Sequence, residues 1–199
     1  MVSGGHTQIV LVEENYQMKV LGKTMDDAAG EAFDKAGKMM GLSYPSGPQI
    51  DELAKKGNPN AFKFNTPNVG ELDYSFSGMK TSILYFLQKE VKKNLNFINE
   101  NIQDLCASIQ YTIVSYLLSN LKKAIKETGV NSIGIAGGVA ANSELRDSLI
   151  KLADNTDSKA YIPKFEYCTD NAAMIAFAGK IKLEQKQFGT LTDVCYTRK

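Results

Sequence analysis

Cysteine is scarce in this chain, and what there is argues against cross-linking. Cys106, Cys168 and Cys195 are odd in number, lie far apart and form no CxxC pair. Neither a disulfide framework nor a thiolate zinc site is indicated, and a reducing cytoplasm is the expected compartment. Histidine is scarcer still, with His6 alone. Charge of one sign is not in excess: 23 Lys and Arg against 22 Asp and Glu leave a formal +1. That balance excludes binding of nucleic acid by bulk charge and leaves any RNA contact to local patches or to partners. No apolar run reaches the roughly 18 residues that a bilayer span needs. The opening Met1-Val2-Ser3-Gly4-Gly5 lacks a charged region followed by an apolar stretch, so a soluble, unexported protein is expected. Repeats and low-complexity stretches are also missing. What remains is 199 residues, 43% hydrophobic, enough for one core or one core with a helical appendage, which excludes a disordered or collagen-like chain.

The local pattern reads as mixed α/β. Residues 8–12 (QIVLV) form a strand preceded by a Ser-Gly-Gly turn, so the chain begins inside a hairpin. A further strand over 17–21 leads to Thr24, an N-cap with Asp27 three residues on, and a helix to about Met40 that stops at Gly41. Ala29, Phe33, Ala36 and Met40 make its apolar seam, while Asp27, Glu31 and Asp34 line another stripe. Residues 41–81 are rich in Gly, Pro, Ser and Asn and read as loops with one short helix near 50–56; loops of that length usually bind something. Helices over 81–93 and 102–128 follow. The second carries Leu105, Ile109, Ile113, Leu117, Leu121 and Ile125 at four-residue spacing, the mark of an amphipathic helix packed on a sheet. Strands over 132–136 and 160–163 and helices through about 152 and over 172–187 complete the chain.

Two glycine turns carry the chemistry. In Ser3-Gly4-Gly5-His6-Thr7, glycines let backbone N–H groups approach an oxyanion, and Ser3, His6 and Thr7 add polar contacts. Read alone, the same five residues are equally an ordinary hairpin with a surface histidine. Gly137-Gly138 ends a strand and opens a helix, where a backbone can pass close to a base or ribose and Asn142 offers both a donor and an acceptor. One turn in an opening hairpin and one after a later strand give the β-β-β-α-β-α order of a lobe of the ASKHA (actin and sugar-kinase, ribonuclease H-like) fold.

The motifs VSGGHTQ (2–8), DDAAGEAFDKAGKMMGLSYPSGP (26–48), YSFSGMKT (74–81), GGVAANSELR (137–146) and CTDNAAMIA (168–176) resemble, in order and over nearly the whole chain, the bacterial tRNA threonylcarbamoyl transferases, once labelled glycoproteases. The resemblance implies an α/β ASKHA lobe, a mixed sheet with helices, forming one domain over 1–199 with a helical and loop insertion at about 41–128; the N-terminal lobe is read as absent. It implies an acyltransferase that moves threonylcarbamoyl from threonylcarbamoyl-AMP to N6 of adenosine 37 in tRNAs reading ANN codons. The partners implied are tRNA, the inactive paralogue and an ATPase, with self-association through the exposed lobe face and no membrane. In this reading Met1, Val2, Ser3, Gly4, Gly5 and His6 hold the phosphate and acyl region, Asp34 and Asp51 take ribose or neighbouring hydroxyls, and Gly47 and Asn142 frame the adenosine. A carboxylate accepts two hydroxyl bonds and so suits a ribose diol, although either Asp equally suits a solvated helix face.

Asp170 resembles the family's carboxylate ligand to a divalent metal, iron or zinc, and by position also suits an N-cap. The family's other ligands are two histidines of an upstream HxxxH, and His6 is the only histidine here. The site is therefore read as incomplete, with weak or absent metal binding, and the chain alone as inactive, with no catalytic residue assigned. Lys80 suits a phosphate or a solvated helix start. A non-catalytic scaffold paralogue of the same complex is the competing reading; it usually lacks the CTDN motif. A sugar or acetate kinase lobe ranks last, because Ser3 replaces the acid of a DxGxT phosphate loop.

Overall fold

Backbone pairing starts with the first residues of the chain, which as a computed structural model is described over residues 1–194. Val2 and Thr7 form an antiparallel bridge. The Ser3 N–H donates to His6 O at 2.8 Å, and the Gln8 N–H to Met1 O at 2.9 Å. The opening hairpin anticipated from Ser-Gly-Gly is therefore present, and its second arm continues as β1 (Gln8–Val12). β1 pairs antiparallel with β2 (Met18–Lys23), with a register shift between Ile9 and Val10.

α1 (Ala29–Met39) starts four residues later than an N-cap at Thr24 suggested, with Ala28 in the N-cap position. The Thr24 hydroxyl donates to Asp27 O at 2.6 Å, so it closes a turn ahead of the helix instead of capping it. The helix ends as expected at Gly41, whose φ of 82° suits a residue without Cβ. Its seam of Ala29, Phe33, Ala36 and Met40 is buried.

α2 (Gly47–Ala54), α3 (Ser77–Lys93) and α4 (Phe97–Thr128) follow, with a break in helical geometry at Asn101. α4 is the axis of the core: Leu105, Ile109 and Ile113 are fully buried. It packs chiefly on α2 and on α5 (Ser143–Asn155), not on a sheet. The reason is size. β3 (Ser132–Gly134) and β4 (Lys159–Tyr161) pair in parallel over three residues each, too little surface for a helix of 32 residues. Only the last turns of α4 reach them, through Ile125 beside Ile133.

The sheet anticipated as one mixed unit is, among the described residues, two two-stranded sheets, β1–β2 and β3–β4. The stretch read as loops is fastened down. Phe64, Leu72, Tyr74 and Phe76 are buried, and Phe62, Phe64, Phe86 and Phe97 meet ring to ring at 5.2–6.0 Å. Exposed apolar side chains include Val12, Met18 and Val20 on the first sheet, and Met174, Ile175 and Phe177 on α6 (Ala172–Glu184), no residue of which is buried. Cys106 and Cys168 are free and buried, and desolvation pushes the Cys106 thiol up to about 12; Cys195 lies outside the described residues. No described helix is long and apolar enough to cross a membrane.

Candidate nucleotide-binding site

The two glycine turns meet backbone to backbone. The Val2 N–H donates to Ala136 O at 2.8 Å, and the Val139 N–H returns to Val2 O at 3.1 Å. This closeness is what glycine at 137 permits: its φ is 97°, and a Cβ there would lie 2.4 Å from Val2 O. The start of α1 joins the same junction. Its N-cap residue, Ala28, has no side-chain acceptor, and the buried Thr7 hydroxyl of the hairpin accepts from the Ala29 N–H at 2.8 Å instead. The Gly30 N–H donates to Ser3 O at 3.1 Å. Around this packed seam Gly4, Gly5 and Gly138 border open space, with nothing within 4 Å of where a Cβ would stand. Hairpin turn, helix start and second glycine turn thus meet at one backbone junction with open space beside its glycines.

Inside the hairpin, Ser3 Oγ accepts from the Gly5 N–H at 3.3 Å and the His6 N–H at 3.0 Å. Its hydroxyl oxygen occupies the position in this small cradle of N–H groups that a ligand oxyanion would contest. His6 is exposed.

The other anticipated residues are linked in series along one wall. Asp34 on α1 accepts from the Ser46 N–H at 2.8 Å, directly before Gly47 opens α2. Asp51 on α2 accepts from the Ser143 N–H at 3.2 Å to each carboxylate oxygen, and from the Ser143 hydroxyl at 2.7 Å. Asn142, one residue earlier, caps α5 by accepting from the Leu145 N–H at 2.9 Å and donates through Nδ2 to Gln110 Oε1 of α4 at 2.7 Å. Asp34, Gly47, Asp51 and Asn142 are therefore brought together, each bound into the scaffold. The sequence reading named Thr7 for polar contacts but not as the cap of α1, and it did not single out Ser46, Gln110, Ser143 or Arg146. Only Thr7 stood inside a motif read for its polar contacts; the others contact backbone or side chains across separations that no local pattern announces.

The anticipated carboxylate stripe does not form, because Asp27 precedes α1. Lys35 bridges Asp27 at 2.7 Å and Glu31 at 2.8 Å, while Lys80 reaches Asp27 at 3.3 Å. Burial opposes ionisation of Asp27, but hydrogen bonds and charge from the two lysines outweigh it and hold the carboxyl below its ordinary value. Bonding to Asp27 and then Glu31 raises the Lys35 ammonium above its ordinary value. Asp26 acts differently: it accepts from the Phe76 and Ser77 N–H groups at 2.7 and 3.3 Å and so caps α3 from another segment. Desolvation works against its charge, yet bonds from Ser75, Phe76 and Ser77 leave its carboxyl lowered as well.

Asp170 is exposed at the foot of α6. It is not the cap that its position suggested: Asn171 is, accepting from the Met174 N–H at 3.0 Å. Among the described residues no group of three or more His, Cys, Asp or Glu side chains is placed to hold a metal ion. The donors present do not make up a divalent-ion site by themselves, and no chemical step is assigned to one. Two surface cavities lie away from the glycine junction. One of about 230 Å³ includes Asn68, Tyr116 and Lys123; the other, about 670 Å³, includes Lys122, Lys126 and Asp157. The backbone at Gly4 and Gly138, which borders open space, contributes to neither cavity.

Comparison with known proteins identifies the family. A family model described as tRNA N6-adenosine threonylcarbamoyltransferase matches residues 1–177. Proteins of that name from Riemerella anatipestifer and Christiangramia forsetii are 54% and 52% identical to this chain, each over 99% of it and 58% of the relative. The one from Thermosipho africanus is 51% identical over 90% of the chain and 53% of its own length. The chain thus spans a little over half the length of these curated relatives.

Proposed function

The chain belongs to the tRNA N6-adenosine threonylcarbamoyltransferase family, and on that premise we propose that it is the nucleotide-holding ASKHA lobe of a cytoplasmic enzyme that transfers threonylcarbamoyl from threonylcarbamoyl-AMP to N6 of adenosine 37 in tRNA. The observation that carries the proposal is the junction of the Ser3-Gly4-Gly5 and Gly137-Gly138 turns through Val2. It sets two loops suited to a phosphate and to a nucleoside side by side.

In this reading the open edge at Gly4 and Gly5 receives the adenylate phosphate, with Ser3 turning to yield its two N–H partners. The Gly138 edge receives the nucleoside. Asp34, Asp51 and Asn142 act first by fixing the wall, and their remaining lone pairs and protons face the ribose and base. N6 of the tRNA adenosine attacks the carbamoyl carbonyl carbon. The carbon–oxygen bond to phosphate breaks, AMP departs with the electron pair, and the N6 proton passes to water. Backbone N–H groups aimed at the phosphate stabilise the charge that collects on the leaving group. The exposed apolar residues of β1–β2 and α6 are where the rest of a full-length protein packs, since relatives are longer than this chain.

The test supplies full-length protein and its partner proteins with tRNA bearing adenosine 37 and scores modified adenosine by mass. Product is expected, and it is expected to fall at least tenfold with Gly137→Ala. The 199-residue chain alone should give none above a no-protein control. A full-length protein that makes no product with its partners present overturns the proposal.

A further inference from the structure

Arg146 touches two loops at once. Nη1 donates to Ala140 O at 3.0 Å, inside the second glycine turn. Nη2 donates to Pro163 O at 2.8 Å, at the head of the segment that leads to Asp170. The same guanidinium stacks over the Phe165 ring at 4.4 Å and lies 3.8 Å from Cys168 Sγ. Little else holds that segment to the lobe. Phe165 and Tyr167 are largely exposed, Cys168 is its one buried side chain, and α6 beyond it buries no residue. Asp170 follows Cys168 by two positions, so the segment that the guanidinium holds leads directly into it.

We infer that Arg146 is a positioning residue, a clamp that fixes the Pro163–Cys168 segment, and with it Asp170, against the Gly137–Asn142 turn. It does so through two backbone carbonyls, one on each loop. The chemistry requires arginine: a planar fork satisfies two acceptors in fixed directions while its face covers an aromatic ring, whereas lysine offers one point charge. The inference rests on the proposed function for the role of the two loops, but the clamp itself is measurable without it.

Arg146→Met keeps the aliphatic stem and removes every donor; Arg146→Lys keeps the charge and guards against a misfolded Met variant. In the full-length protein, hydrogen exchange should quicken by about tenfold or more at amides 165–171 in the Met variant, and less in the Lys variant. Amides of the α5 core at Leu149 and Ala153 should be unchanged. In the modification assay, kcat should fall about tenfold while KM for the adenylate stays within about threefold. Arg146→Met combined with Asp170→Asn should lose no more than Asp170→Asn alone. Uniform exchange across the lobe, or unchanged exchange at 165–171, overturns the clamp. Multiplicative losses in the double variant overturn its action through Asp170. If Asp170→Asn is fully active, the assignment of Asp170 fails while the exchange result still decides the clamp.

Discussion

Replacing Asn142 by alanine tests the junction at its most connected point. The side chain makes two bonds that alanine cannot: it accepts from the Leu145 N–H as the cap of α5, and it donates to the buried Gln110 Oε1. Loss of an N-cap costs about 0.5–2 kcal/mol. Leaving the Gln110 oxygen without a donor adds about 1–3 kcal/mol, because Gln110 is only 5% exposed and water does not readily replace the amide. The two terms together come to about 1.5–5 kcal/mol, or roughly 3–20 °C in melting temperature for a chain of this size. Asn142→Asp should cost far less, since a carboxylate caps a helix well and the Gln110 amide can turn to donate to it. In the double variant with Gln110→Leu the buried orphan is gone, so its cost should fall short of the summed single costs by about 1 kcal/mol or more. Urea unfolding of the parent, the three single variants and the double variant supplies all three comparisons. An Asn142→Ala variant within about 0.5 kcal/mol of the parent, or strict additivity with Gln110→Leu, refutes the reasoning.

Three further outcomes follow from the same geometry. Gly137→Ala should destabilise by about 2 kcal/mol or more, through positive φ and the contact with Val2 O, while Gly138→Ala, which faces open space, should change stability by under about 1 kcal/mol; equal effects in urea unfolding would contradict the packing of the turn. Asp26 and Asp27 have folded-state values below the ordinary 3.8, so their contribution is fully present above that value and is lost as pH falls through the lowered one. An Asp26→Asn/Asp27→Asn variant should therefore show a flatter stability profile than the parent below about pH 5, and superimposable profiles exclude this source. The 199-residue chain should bind a hydrophobic dye and associate at high concentration, and Ile175→Glu with Phe177→Glu should reduce both; a strict monomer without dye binding counts against an exposed docking face.

Much of the fold was legible because its signals are local and periodic. The seam of α1 and the buried row Leu105, Ile109 and Ile113 follow helical spacing, and the Ser-Gly-Gly turn announced a hairpin. The start of α1 was misplaced because Thr24 has the chemistry of a cap but spends its hydroxyl on Asp27 O, while the true cap, Thr7, comes from 22 positions earlier. Packing of α4 was misassigned for a related reason: an apolar stripe says that a surface is covered, not whether a helix or a sheet covers it.

The sequence offered candidate residues for a site but not the contacts they make in the fold, and the reason is chemical. A side chain suited to a ribose hydroxyl or a base edge is equally suited to a loose backbone N–H, because both ask for a well-placed lone pair. Asp34, Asp51 and Asn142 all satisfy loop or helix-start N–H groups here. The bonds of Asp34 and Asp51 pin one element to the next, α1 to the start of α2 and α2 to the start of α5, while Asn142 caps α5 and ties it to α4 through Gln110. Binding and scaffolding need not compete at such positions. A carboxylate that accepts from Ser143 still has lone pairs free, and the bond that uses the others sets their direction. An alanine at any of the three should accordingly lower both stability and nucleotide affinity, and activity losses there measure ligand contact only after the loss of folded protein has been subtracted.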